Sequence, residues 1–489
     1  MLCLCVFLGI VENTILNVAL PSLRADLGAS TGELQWITDA YVLVFAGFVL
    51  VAATVADRVG RKGALLAGLG VIGVFSMLAA FATTAGQLVA CRAVLGLGAA
   101  LVFPTSLSIL VNVFTDPVRR GRAIAVWGAV AGVSAAAGPI LGGLLLQVFP
   151  WGSIFLANVV IVALVLAGAV VLPKSRDPAP RRVDVAGSVL SIVTLTVLVW
   201  SIIQGQHDWS APAVLVGFAL SAVLLTAFVL VERRVAAPVL DLALFRNTRF
   251  SVPAFAVMIA FFVLNGMLFA VTMYLQSVRE LTPLQAGLCM LPGGLVMIAV
   301  SRLGARLVER LGTKLVVTSG FLLCTAGLLL ISGLAAGSAT VQAIVAVAVF
   351  YAGLQLISAP AATAIMNEVP KEKAGAGSAV NNLTRQLGTA LGIAVLGSVL
   401  STVYRGQLGE YAQGAGLPAP ITTAALENVG AAVGLAHGSS DAGLLAAAKD
   451  AFTAGMSLAS LTGAALLVVA AVATAATLPG KRFRNRTNE

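Results

Sequence analysis

Apolar runs of about 20 residues, separated by short polar stretches, recur along the whole chain, and each is long enough to cross a hydrocarbon core of roughly 30 Å. The first half reads as helices over about 2–23, 36–56, 63–83, 86–108, 122–147 and 152–172, closed by the polar stretch "PKSRDPAPRRVD". Two more follow over about 185–205 and 211–232, then six over about 251–278, 284–304, 314–335, 340–364, 375–403 and 452–478. The pattern predicts an all-α polytopic membrane protein with about 14 transmembrane helices. Within the long connection at 405–449, "ALENVGAAVGLAHGSSDAGLLAAAKDAF" has weak helical patterning with Gly and Ser breaks, and is expected to form a partly ordered surface segment.

Basic residues give an independent check, because Lys and Arg concentrate in short cytoplasmic loops. Of the 30 Lys and Arg, 24 fall in the even-numbered loops and the C-terminal tail. The alternate loops hold only Arg24, Arg279, Arg405 and Lys449, while Arg92 and Arg385 lie inside crossings. The asymmetry puts both termini in the cytoplasm and requires an even number of crossings.

An internal repeat divides the chain. "ATVADRVGRK" at 53–62 aligns with "ARLVERLGTK" at 305–314, matching Asp57 with Glu309, Arg58 with Arg310, Gly60 with Gly312 and Lys62 with Lys314. The offset of 252 exceeds what a six-helix half needs, and the excess fits the two spans at 185–232. The expected organisation is a six-helix bundle over 1–175, two additional linker helices over 176–246, a second six-helix bundle over 247–478 containing an extracellular loop at 405–449, and a cytoplasmic tail over 479–489.

Composition narrows the function classes. With 59% hydrophobic and 10% charged residues and a mean hydropathy of +1.01, no large soluble domain is left over. The net charge of +10 is spread over many loops, with no basic arm or patch for nucleic acid. The five cysteines sit in apolar runs rather than in the paired spacing of a disulfide framework. The only histidines are His207 and His437, and neither an HExxH pattern nor a phosphate-cradling GxxxxGK[ST] loop occurs. The reading is a non-enzyme without metal or other cofactor, and not powered by ATP. No basic n-region precedes the first crossing, so no removable signal peptide is expected.

The costly residues are the charged ones inside crossings. A carboxylate at a helix centre costs about 2.5–3.5 kcal/mol on insertion scales and usually faces a bundle interior or a wet cavity. Glu12, in "VENTILNVALP", is such a residue. A carboxyl group that alternates between an apolar wall and a nearby arginine exchanges protons between those surroundings; a permanent structural ion pair is the competing reading. Glu232, beside Arg233 and Arg234 at a helix end, is expected to be solvated.

Several stretches resemble the major facilitator superfamily, and more closely its fourteen-helix drug:proton antiporter branch. "VADRVGRK" resembles the loop that latches neighbouring helices in that superfamily, which implies a conformational latch of Asp57, Arg58, Gly60, Arg61 and Lys62, repeated by Glu309, Arg310 and Gly312. "ENTILNVALP" resembles the branch's first-helix motif, with Glu12 where aspartate is usual. "CRAVLGLGAALVFP" resembles the fourth-helix motif and carries Arg92, and "NNLTRQLGTALG" the thirteenth helix, with Arg385. "GPILGG" resembles the fifth-helix antiporter motif through Gly138, Pro139, Gly142 and Gly143, with Ser134 where a preceding glycine is usual.

The resemblance implies a proton-coupled antiporter in a bacterial inner membrane that exports small amphipathic or lipophilic compounds, drugs or antibiotics, by alternating access. Its partners are small-molecule substrates, protons and the lipid bilayer. Glu12 would couple to protons with Arg92 as preferred partner and Arg385 as second choice. Asn13, Asn17, Asp39, Tyr41, Phe45, Phe269 and Tyr274 are candidates for the substrate cavity, and the intramembrane carboxylate suits lipophilic cations. A lipid or metabolite exporter of the same fold, and a non-transporting membrane sensor, stay open as alternatives.

Overall fold

The computed structural model describes the chain outside residues 30, 115, 170–183, 206–208, 236–241, 370–373 and 479–489. Nearly all of it is helical. The first group comprises α1 (Leu2–Leu27), α2 (Thr31–Val59), α3 (Arg61–Ala80), α4 (Ala85–Val113), α5 (Pro117–Val148) and α6 (Ser153–Ala169), followed by α7 (Val185–Gly205) and α8 (Pro212–Glu232). Then come α9 (Thr248–Met273), continued by a π-helical turn at Tyr274–Val278, α10 (Pro283–Leu311), α11 (Thr313–Ser332), α12 (Thr340–Glu368), α13 (Ala374–Gly414), α14 (Ala419–Glu427), α15 (Val429–Ser439) and α16 (Ala442–Thr477). Among the described residues, ten helices are long and apolar enough to cross a membrane, and α6 and parts of α1 and α7 are shorter apolar helices.

Local chemistry sets several of these ends. Thr84 and Asp116 cap α4 and α5 by accepting from the amides of Gln87 and Arg119. Thr282 and Gln285 form a reciprocal capping box at the start of α10. At Gly60 (φ 119°) and Gly312 (φ 84°) the chain turns from α2 into α3 and from α10 into α11, in a backbone region that favours glycine. The repeat seen in sequence is therefore also a repeat of backbone conformation.

It extends to packing. Apolar lipid tails supply no hydrophobic drive between helices, so close backbone approach through small residues becomes decisive. A Cβ on Gly68 of α3 would lie 2.9 Å from the Gly98 carbonyl of α4, and one on Gly320 of α11 would lie 3.0 Å from the Gly353 carbonyl of α12. Gly68 and Gly320 are separated by the same 252 residues as the repeated loops.

Two large hydrophobic clusters result. One is built mostly from α1–α6 around Leu16, Leu69, Leu95 and Phe155; the other mostly from α9–α16 around Phe250, Phe321, Leu354 and Met456. The central cavity lies between them. The α7–α8 pair packs beside the seam: Val199 of α7 joins Leu43 and Ala46 of α2, and Ile202 joins Ala390 and Ala394 of α13.

The segment at 405–449 is more regular than its Gly and Ser content predicts. Helix α13 runs on to Gly414, and α14 and α15 fill most of the remainder. Asn428 caps α15, and Val429, Ala432, Val433 and Ala436 are buried at helical spacing. Tyr404 donates a hydrogen bond from its phenol to the Ala425 carbonyl, fastening α14 to α13.

Glu232 also departs from expectation. It is 4% exposed at the end of α8, and together with Asp184 it lies against Gly187 of α7, where the absence of a side chain leaves room for two carboxylates.

Candidate functional site

The cavity between the two clusters measures about 150 Å³. One wall comes from α1, α2, α4 and α5 and is mainly apolar and aromatic, with Ile10, Tyr41, Phe45, Phe103 and Trp127. The facing wall, from α9, α12 and α13, carries the polar groups: Asn265, Ser358, Asn381, Arg385, Gln386 and Thr389. Gly9 and Gly128 also line it. A Cβ on Gly9 would run into the Phe103 ring, whereas Gly128 faces open space.

Beside the cavity, but not in its wall, sits the buried ion pair. Arg92 Nη1 donates to Glu12 Oε1 at 3.2 Å, with both side chains fully buried. Arg92 Nε donates to the Ile37 carbonyl at 3.0 Å, and its guanidinium lies 4.6 Å from the centre of the Tyr41 ring. Glu12 Oε2 and Arg92 Nη2 have no hydrogen-bond partner. Tyr41 is shared: it covers Arg92, stacks with Phe45 at 6.4 Å, and forms part of the cavity wall.

Arg385 is placed differently. Its guanidinium lies 4.3 Å from the centre of the Phe261 ring and 5.3 Å from that of Trp127, and it faces the cavity. Among the described residues, no carboxylate lies within ion-pair distance of it. Of the two candidate partners for Glu12, the structure pairs Arg92 and leaves Arg385 apart.

At the end of the molecule where the repeated loops lie, polar links join the two halves. Arg120 of α5 donates to the Asn367 side chain of α12, Gln355 of α12 donates to the Ala125 carbonyl at 3.0 Å, and Arg122 lies 3.6 Å from Glu309 of α10. Within the first loop, Arg61 is buried and bonds Asp57 at 2.6 Å, one helical turn away across Gly60. Arg58, Lys62 and Arg310 each have an interaction of their own.

The fifth-helix glycines divide by face. A Cβ on Gly138 would meet the Thr14 side chain, and one on Gly142 would lie 2.9 Å from Ile15, so α5 rides on α1 at these two positions. Gly143 has open space around it and mediates no close approach. The Pro139, Asn13 and Asn17 side chains fall outside the described residues.

The Major Facilitator Superfamily model matches residues 2–393. The chain belongs to the Major Facilitator Superfamily. A multidrug efflux pump, LfrA, of Mycolicibacterium smegmatis is 35% identical over 96% of this chain and 94% of its own length. A methyl viologen resistance protein, SmvA, of Salmonella typhimurium is 34% identical, with 94% of each covered. Among solved structures, the proton:xylose symporter XylE matches 98% of this chain and 94% of its own with a TM-score of 0.63 at 11% identity, a likeness of fold. Membership in this transporter superfamily places the chain outside the enzymes.

Three of the cavity candidates lie apart from the described wall of this cavity. Phe269 is 49% exposed on the outer surface of α9, away from the cavity. Tyr274 is buried in the second cluster, where its phenol donates to the Ala335 carbonyl at 2.9 Å. Asp39 has its own interaction and lies outside the cavity wall. For the two aromatic residues the reason is the same: a span apolar on every side gives no stripe that tells the cavity face from the lipid face.

Reasoning from sequence also missed Trp127, Phe261, Asn381 and Gln386. A signal was present for the α13 residues. "NNLTRQLGT" places Asn381, Arg385 and Thr389 four residues apart, one polar stripe along an apolar helix.

Proposed function

We propose that this chain is a proton-coupled antiporter that exports small amphipathic compounds, drugs or antibiotics, by alternating access across a bacterial inner membrane. The names of its relatives, a multidrug efflux pump and a methyl viologen resistance protein, support drug export. The observation that carries coupling is the shared Tyr41, whose ring lies between the central cavity and a fully buried carboxylate–guanidinium pair. A compound pressing on Tyr41 acts on the cover of Arg92, and protonation of Glu12 would release Arg92 to move. Substrate and proton then compete through one ring rather than through direct contact.

Fourteen crossings fit this reading: the ten long apolar helices together with α1, α5, α6 and α7. The loop asymmetry in Lys and Arg supports a cytoplasmic position for both termini and the repeated loops. The links Arg120–Asn367, Gln355–Ala125 and Arg122–Glu309 then close the cytoplasmic end, and rocking of the halves must break them. The driving force suffices, since one charge moved is worth about 2.3 kcal/mol per 100 mV and each pH unit about 1.4 kcal/mol.

A single cysteine at Thr363, in the second cavity beside these links, on a background lacking the five native cysteines, tests the cycle. Labelling by an impermeant maleimide from the cytoplasmic side should change when a proton gradient or an exported drug is supplied. Labelling that ignores both would contradict alternating access.

A further inference from the structure

The charge of the central cavity points away from cations. Among the described residues its wall contains no carboxylate, because Glu12 is turned aside into the pair with Arg92, and the one permanently charged side chain is Arg385. A guanidinium in a membrane interior is costly, and no described carboxylate compensates this one. Phe261 and Trp127 stabilise it through their ring faces, but those contacts leave the in-plane N–H donors of the fork unused.

A second, independent observation lies one helical turn away. Asn381 is 1% exposed, lines the same cavity, and has neither its amide nitrogen nor its carbonyl oxygen paired. A buried amide left entirely unsatisfied is rare in folded proteins and expensive. Its near neighbours on the polar wall do better: Asn382 Nδ2 donates to the Ser378 carbonyl, and Asn265 Nδ2 donates to Thr389 Oγ1 at 2.9 Å. Asn381 and Arg385, at i and i+4 on α13, therefore present unpaired donors from one face into one cavity.

We propose that Arg385 and Asn381 form an acceptor subsite of the substrate cavity, which takes the carboxylate or other anionic oxygen group of an aromatic amphipathic compound. Its ring system lies on the facing wall, against Phe103 and Trp127. Arg385 supplies charge-assisted hydrogen bonds, Asn381 supplies a neutral one, and the aromatic wall supplies contact area without a charge requirement. The inference rests on the export reading for the existence of a substrate, and it names that substrate's chemistry.

Three probes with one fluorophore separate charge from shape: dansylglycine (anionic), dansylamide (neutral) and dansylcadaverine (cationic). Binding is read by fluorescence with the full chain in lipid nanodiscs, and transport with the same chain in proteoliposomes under a pH gradient. Wild type should bind dansylglycine more tightly than dansylcadaverine by on the order of tenfold or more. Arg385→Gln should erase that preference, Arg385→Lys should retain part of it, and Asn381→Ala should weaken dansylglycine severalfold. If Arg385→Gln does not fold, Asn381→Ala and Arg385→Lys still carry the test. Tighter binding of dansylcadaverine by wild type, or equal losses for all three probes in the variants, would overturn the acceptor subsite. Gradient-driven movement of dansylcadaverine alone would overturn it while leaving export standing, whereas dansylglycine bound with the predicted preference but never moved would sink export and leave the subsite.

Discussion

Neutralising one member of the Glu12–Arg92 pair should be more harmful than neutralising both, and the two single changes should differ. The side chains are fully buried and 3.2 Å apart. At an effective dielectric constant of about 20, such a pair attracts by about 5 kcal/mol, and stranding one partner of a buried pair costs about 3–5 kcal/mol. Glu12→Gln leaves a guanidinium that cannot shed its charge, supported by neutral groups alone: the Ile37 carbonyl, the Tyr41 ring and the new amide oxygen. Arg92→Gln leaves a carboxyl group that can take up a proton, so its cost is smaller by about 1–2 kcal/mol. The double variant removes both charges and should recover most of the loss. Thermal unfolding of the four purified proteins in one detergent gives the order wild type, then the double variant and Arg92→Gln, with Glu12→Gln lowest. Single losses that simply add in the double variant would refute the reasoning, because residues that act as a unit show coupling.

Three further expectations follow from packing and charge. Gly392→Ala should cost about 1–3 kcal/mol, because its Cβ would enter the Phe262 carbonyl of α9, while Gly397→Ala on the same helix has open space and should be neutral; yield of monodisperse protein separates them. Phe261→Ala, which strips a ring from Arg385 in the cavity, should change the drug-resistance profile of expressing cells, and Phe269→Ala, on the outer surface, should not. Outside the membrane, Lys449 at 2.6 Å and His437 at 3.3 Å hold the Glu280 carboxyl below its usual range, Lys449 foremost. A carboxyl depressed in the folded state stabilises above its unfolded value and loses that contribution as pH falls through the folded one. Hydrogen-exchange protection in α15, taken relative to the intrinsic rate at each pH, should therefore fall on acidification below about pH 4.5, and Glu280→Gln should remove that dependence.

Different parts of the molecule were legible to different degrees. The repeated loops could be read because the two copies share residue types and a glycine, and the structure gives Gly60 and Gly312 similar work at φ 119° and 84°. That Glu12 needs a cation nearby follows from the cost of a buried carboxylate; the preference for Arg92 over Arg385 comes from the family resemblance, which sets the first and fourth helices together. The separation of the pair from the cavity follows from neither, since that depends on where the Tyr41 ring turns. Phe261 and Phe269 are both aromatic residues on one apolar helix, and only neighbouring helices decide which meets the cavity and which meets lipid. Helix α15 was readable in principle, from the Asn428 cap and the spacing of Val429, Ala432, Val433 and Ala436, but three glycines in the same stretch masked the signal.

The most direct test of proton-coupled export is internal pH, recorded in proteoliposomes with an imposed gradient while a panel of amphipathic compounds is added, for wild type, Glu12→Gln and Glu12→Asp reconstituted at equal folded amounts. Coupling through Glu12 predicts that exported compounds dissipate the gradient with wild type, to a lesser degree with Glu12→Asp, and not with Glu12→Gln. Gradient loss that is equal in all three, or absent with wild type despite measured binding, would contradict it.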